Sequence, residues 1–165
     1  MLDLPRGDLP LSGDAAPIRS PLANIPAEAW TGFVRAMMTQ PLDAVSPSNA
    51  LGMFEMRPRR LADLGIMSDL RCLRAPRTNR QVWCGTFARP ITTAAFLSNP
   101  LLQYNVFALS MVDYAGRIGR GEIAVPDGMT LSGALAALHR AGPGGLGGNQ
   151  FPETRAAVER VNGVF

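Results

Sequence analysis

One hundred and sixty-five residues set the size of a single domain, and 47% hydrophobic against 18% charged excludes a globally disordered chain. The net charge of +3 is mild, and all sixteen basic residues are Arg, which fits either a GC-rich genome or bidentate binding of carboxylates and phosphates. No run approaches the ~18 apolar residues of a membrane span, and the first residues lack the basic start and apolar run of a secretory signal.

Residues 1–25 carry Pro5, Pro10, Pro17 and Pro21 with Gly7 and Gly13, so they predict an extended arm rather than a helix. Leu2, Leu4, Leu9, Leu11, Ile18 and Leu22 make it apolar for a tail, which leaves two readings, a loose terminus or an arm docked on a neighbouring subunit. Residues 26–165 form the predicted domain. Its first helix spans 26–40, with Asn24 as cap and Trp30, Phe33, Val34, Met37 and Met38 on one apolar stripe. On periodicity alone Met37 is a core residue. Residues 53–56 predict a short extended piece. Residues 58–64 predict a helix stopped by Gly65. Arg57, Arg59, Arg60, Arg71, Arg74, Arg77 and Arg80 form a basic cluster, read either as a solvated face or as contact with an anionic partner. Aromatic residues do not interleave with it, so no nucleic acid partner is expected.

Residues 81–84 predict a strand. Cys72 and Cys84, the two cysteines, fit either a disulfide or two free thiols, and their spacing matches no zinc site. A brief helix is expected at 92–97. A longer one runs from Pro100 to about Ile118, with Leu102, Val106, Leu109 and Val112 inward and Gly119 at its end. Thr130 or Asp127 caps a helix through Arg140. Residues 141–148 hold five glycines and should not stay helical, and a last helix spans 152–162.

The stretch that organises the chain is 44–58, AVSPSNALGMFEMRP. Ser46, Pro47, Ser48 and Asn49 are turn formers, and Gly52 permits close backbone approach. This stretch resembles the goose-type lysozyme and lytic transglycosylase superfamily, whose segment reads E-S-x-F-x-P-x-A-V-S-x-x-G-A-x-G-L-M-Q-I-x-P. Glu55 stands where that family has Gln. Residues 131–146, LSGALAALHRAGPGGL, resemble the helix-then-glycine segment of the same superfamily. They are closer still to a phage and bacterial branch with S-G-L-L-A-A-A-H-x-x-G-A-G-G-L. Residues 96–103, FLSNPLLQ, resemble that branch's F-L-x-x-P-x-x-Q.

The resemblance implies a mainly α fold: a lysozyme-like helical domain with at most a small β element, preceded by the Pro-rich arm. It also exposes a departure, because counting back from Gly52 to the family's catalytic Glu leads to Met37. Glycan cleavage in this superfamily needs a carboxylic acid to protonate the leaving oxygen, and other glycosidases pair it with a second carboxylate. The carboxylates on hand are Glu55, Asp43 and Asp63. Glu55 is either a displaced general acid or a hydrogen-bonding stand-in for Gln. His139 reads as a buried hydrogen-bonding group at a helix end. The substrate-binding residues expected from the matched positions are Ser48, Asn49, Gly52, Glu55, Leu138 and His139, with no metal and no cofactor.

The expected function is a catalytically degenerate lysozyme-like protein. It would be a structural or peptidoglycan-recognising part of a phage tail, baseplate or related injection machine. Its partners would be virion or injection-machine subunits and peptidoglycan. Without a signal it would stay in the cytoplasm until assembly into a virion and act in the periplasm or cell wall. The alternative is an active muramidase or lytic transglycosylase using Glu55. A third reading is an unrelated helical interaction protein.

Overall fold

The computed structural model describes residues 16–47, 49–68, 86–147 and 151–165. The described backbone is mainly helical, as expected. It runs α1 (Ala27–Met37), α2 (Pro58–Asp63), β1 (Met67–Ser68), β2 (Thr86–Phe87), α3 (Thr93–Ser98), α4 (Pro100–Gly119), α5 (Leu131–Ala141), the 3-10 turn η1 (Gly142–Leu146) and α6 (Pro152–Val161). The β element is one short antiparallel ladder, Met67 opposite Phe87 and Ser68 opposite Thr86. Several expectations lie outside the described residues: the arm as far as residue 15, Ser48, Cys72 and Cys84, the strand at 81–84, and Arg71, Arg74, Arg77 and Arg80.

The described residues group into two compact units, 39–107 and 16–38 with 108–165. Helix α4 is continuous, belonging to the first unit as far as Phe107 and to the second from Ala108.

The first unit packs Leu51, Phe54, Met56, Leu61 and Phe96 into a fully buried centre. Phe54 stacks on Phe107 with ring centroids 4.3 Å apart and planes at 11°, an arrangement that adds to simple area burial. Helix α2 opens on Pro58, whose fixed φ suits a first turn. It closes as expected at Gly65. With φ +71 there, Gly65 N donates to the Ala62 carbonyl (2.9 Å) and Ile66 N to that of Leu61 (2.8 Å). Arg57 and Arg59 are exposed but Arg60 is buried, so the described part of the basic cluster is not one solvated face.

The second unit centres on Trp30, Phe33, Val34 and Met37 of α1, Met111 and Tyr114 of α4, and Leu135 and Leu138 of α5. Two details of α1 differ from expectation. Pro26, not Asn24, holds the cap position and makes no side-chain cap bond, while Asn24 is left-handed at φ +63. The helix also stops at Met37 rather than Gln40, because the amides of Thr39 and Gln40 are captured by the Met53 carbonyl (3.0 and 3.4 Å). In residues 16–25, the described part of the expected arm, Ile18 N donates to Thr31 Oγ1 of α1 at 2.7 Å.

Helix α5 is capped by Thr130, whose hydroxyl accepts from Gly133 N. Ala134, Ala136 and Ala137 are fully buried, and small side chains let α6 approach closely. The space beside Gly133 is filled by Asn162, whose Oδ1 a Cβ there would overlap. Ser132 Oγ ties the two helices by donating to the Val161 carbonyl at 2.6 Å.

One further expectation is corrected and another refined. On α4, Leu102 and Val106 are buried, but Leu109 and Val112 are 46% and 39% exposed. The buried line runs instead through Gln103, Phe107, Ser110 and Tyr114, at spacings of four, three and four. A helix apolar on most sides does not announce its inner face by periodicity. The glycine-rich stretch, expected not to stay helical, does leave the α-helix after Ala141, but it keeps a helical turn of the tighter 3-10 kind, η1, with Gly145 and Leu146 buried.

Candidate functional site

The turn formers of the organising stretch do what their chemistry implies. Ser46 Oγ accepts from Ala50 N at 3.0 Å, Ser46 N donates to the Ala50 carbonyl at 2.9 Å, and Asn49 takes a left-handed φ of +62. Leu51 then pairs on both sides, with Val45 and with Met56. The Leu51–Met56 pair exchanges both backbone bonds at 2.9 Å. The chain between them is a tight turn, closed by Glu55 N donating to the Gly52 carbonyl at 3.0 Å. This corrects the extended piece expected at 53–56. Gly52 enters the turn at φ +68 and Glu55 leaves it at φ +52, so the backbone doubles back instead of running straight.

Buried Met53 anchors the turn on both of its backbone groups, as burial requires. Its carbonyl accepts from Thr39 N and Gln40 N. Its amide donates to Gln103 Oε1 at 2.9 Å. The Gln103 carboxamide, 1% exposed, donates through Nε2 to the carbonyls of Leu42 and Phe96, both at 2.8 Å. It lies so close to Gly52 that a Cβ there would overlap it. Gly52 therefore answers both to its positive φ and to this approach.

Glu55 carries the half-exposed carboxylate of the turn, and its Oε2 accepts from Thr39 Oγ1 at 2.8 Å. Among the described residues, the other non-glycine positive φ values fall on Asn24 and Asn49. Asn tolerates that region, whereas for most side chains it costs roughly 1–2 kcal/mol. Glu55 is thus the strained residue of the motif.

Asn49, Gly52 and Glu55 are brought together in the first unit, with Thr39 and Gln103 added by the structure. Asn49 and Gly52 are buried. Met37, Leu138 and His139 belong to the second unit and are buried there, Met37 and Leu138 wholly so. Of the expected site residues that are described, Glu55 alone keeps appreciable exposure. Asp43 is exposed in a turn, and Asp63 lies 3.4 Å from Arg59. Sequence reasoning did not include Thr39 in the site, and it noted Gln103 only as the last residue of the FLSNPLLQ resemblance, not as a site residue. The signals for Gln103 were its place as the matched Gln of FLSNPLLQ and its being an uncharged amide set between Leu102 and Val106 on an apolar helix.

A cavity of about 410 Å³ lies in the second unit, lined by residues 19–25 and Ala27, and it includes none of the expected site residues. Among the described residues no three His, Cys, Asp or Glu side chains gather as metal ligands, and no helix is long and apolar enough to cross a membrane. Comparisons with protein-family models, curated proteins and solved structures found no match.

Proposed function

We propose that this chain is a lysozyme-like domain without muramidase chemistry. It would serve as a structural or peptidoglycan-recognising component of a phage tail, baseplate or related injection machine. The observation that carries this reading is Met37. At the position where the resemblance expects the general acid stands a wholly buried thioether. A thioether has no proton to give, and the missing acid is worth roughly 10²–10⁴-fold in rate. The motif that remains is tightly bonded, and its carboxylate accepts a hydrogen bond from Thr39. So held, Glu55 offers an acceptor to a sugar hydroxyl or an N-acetyl N–H. The virion setting is supported by the phage branch of the resemblance.

A second reading is favoured by the positive φ at Glu55, since strained backbone gathers at functional sites. It is a muramidase or lytic transglycosylase with Glu55 as general acid. Release of soluble muropeptides from purified cell walls separates the two. The first reading expects no release by the wild type, and its peptidoglycan-recognising form expects co-sedimentation of the protein with the walls. Robust release that disappears in Glu55→Gln would install the second. Met37→Glu restores a carboxyl group at the matched position, and weak release by that variant, retained when Glu55→Gln is added, would support the first.

A further inference from the structure

We propose that Gln103 is a positioning residue for Glu55: its carboxamide fixes the 51–56 turn and thereby the left-handed backbone that presents the carboxylate. The proposal deepens the reading above and rests on it for what Glu55 does with a ligand, a peptidoglycan sugar rich in hydroxyl and amide donors.

Three stretches meet on this one side chain: Leu42, Met53 and Phe96. Its orientation is set by their chemistry. Rotating the carboxamide by half a turn would face its oxygen to two carbonyls and its amino group to an N–H. Met53 is consequently held from both sides, by Gln103 on its amide and by Thr39 and Gln40 on its carbonyl. Met56 is held by its paired bonds to Leu51. Only Phe54 and Glu55 join these two fixed points, and Phe54 is stacked on Phe107. The positive φ at Glu55 is how the chain regains the Met56 pairing. Thr39 couples the turn to the carboxylate directly, since its amide binds the Met53 carbonyl and its hydroxyl binds Glu55 Oε2. A shift of Met53 would disturb both contacts.

The test combines nuclear magnetic resonance with wall binding. In the wild type, Glu55 should give the strong intraresidue amide-to-Hα Overhauser contact of a positive φ. The Met53 amide should resist hydrogen exchange as well as the buried core does. Gln103→Met keeps the length of the side chain and removes its hydrogen bonds. In the folded variant the Glu55 signature should vanish, Met53 exchange should quicken about tenfold or more, and wall affinity should fall about tenfold. A folded Gln103→Met that merely melts earlier, with the Glu55 signature intact, would overturn the proposal. If that variant does not fold, the wild-type exchange decides: core-like protection of the Met53 amide sustains the proposal, and exchange at the rate of an open loop overturns it. Absence of wall binding by the wild type would defeat the peptidoglycan-recognising reading of Glu55, while the Overhauser and exchange data would still decide the role of Gln103.

Discussion

Gly52 and Gly65 share a positive φ, +68 and +71, yet they answer to different constraints. A Cβ on Gly65 would meet nothing within 4 Å, whereas one on Gly52 would strike the Gln103 carboxamide. Gly65→Ala should therefore cost only the left-handed strain, roughly 1–2 kcal/mol. Gly52→Ala carries the same strain and also dislodges a side chain with three hydrogen bonds, each worth about 1 kcal/mol net. We expect a loss of about 3 kcal/mol or more for Gly52→Ala, at least about 1 kcal/mol beyond Gly65→Ala, measured by urea denaturation. Equal losses would mean that Gln103 moves aside without penalty. The comparison bears on legibility. Gly65 was visible in the sequence as a helix stop and Gly52 as a point of close backbone approach, but what approaches Gly52 is a long-range fact, since Gln103 is far from it along the chain.

At the scale of the element, α4 ends in a bonded turn. Gly121, at φ +73, donates to the Ile118 carbonyl and Glu122 N to that of Arg117, both at 2.9 Å. Gly119 was the expected stop and is the last helical residue, but the reversal belongs to Gly121. Glu122 then accepts from Arg120 Nε at 2.6 Å and lies 3.5 Å from Arg117 Nε. The hydrogen bond from Arg120, with the charges of Arg120 and Arg117, holds the Glu122 carboxyl below the usual carboxylate range. The sign follows directly. A depressed acid favours the folded state above the ordinary glutamate value, and that contribution is lost as pH falls through the lowered one. Carbon-detected titration should place Glu122 below an ordinary glutamate, and Arg120→Ala should move it back up. Because the group is exposed, added salt should shrink the difference. A wild-type midpoint that Arg120→Ala leaves unchanged would count against this account. Elements as a class were legible, since caps and breakers such as Thr130, Pro58 and Gly65 act locally. The inner face of α4 was not, because Leu109 and Val112 are as apolar as the residues that are buried. Nor was the 53–56 turn, whose shape depends on Thr39 and Gln103.

At the scale of the molecule, α4 is the element that both units share, with its boundary between Phe107 and Ala108. A helix transmits order along its length, because each turn's hydrogen bonds template the next and restarting one is costly. The two units should accordingly lose structure as one cooperative system rather than as two. Native-state hydrogen exchange offers the readout. The most protected amides of each unit, those around Phe54 and those around Leu135, should open with the same free energy and the same denaturant dependence. Leu109→Pro probes the link, because Leu109 is 46% exposed and contributes little packing. Proline there breaks the helical ladder at a cost of about 3 kcal/mol. We expect the two sets of amides to separate into distinct openings in that variant. Distinct openings already in the wild type would show that the helix does not couple them. If the coupling holds, a substitution anywhere along the shared helix changes the stability of residues it never touches. The melting temperature of this protein would then be a property of α4 as much as of either core.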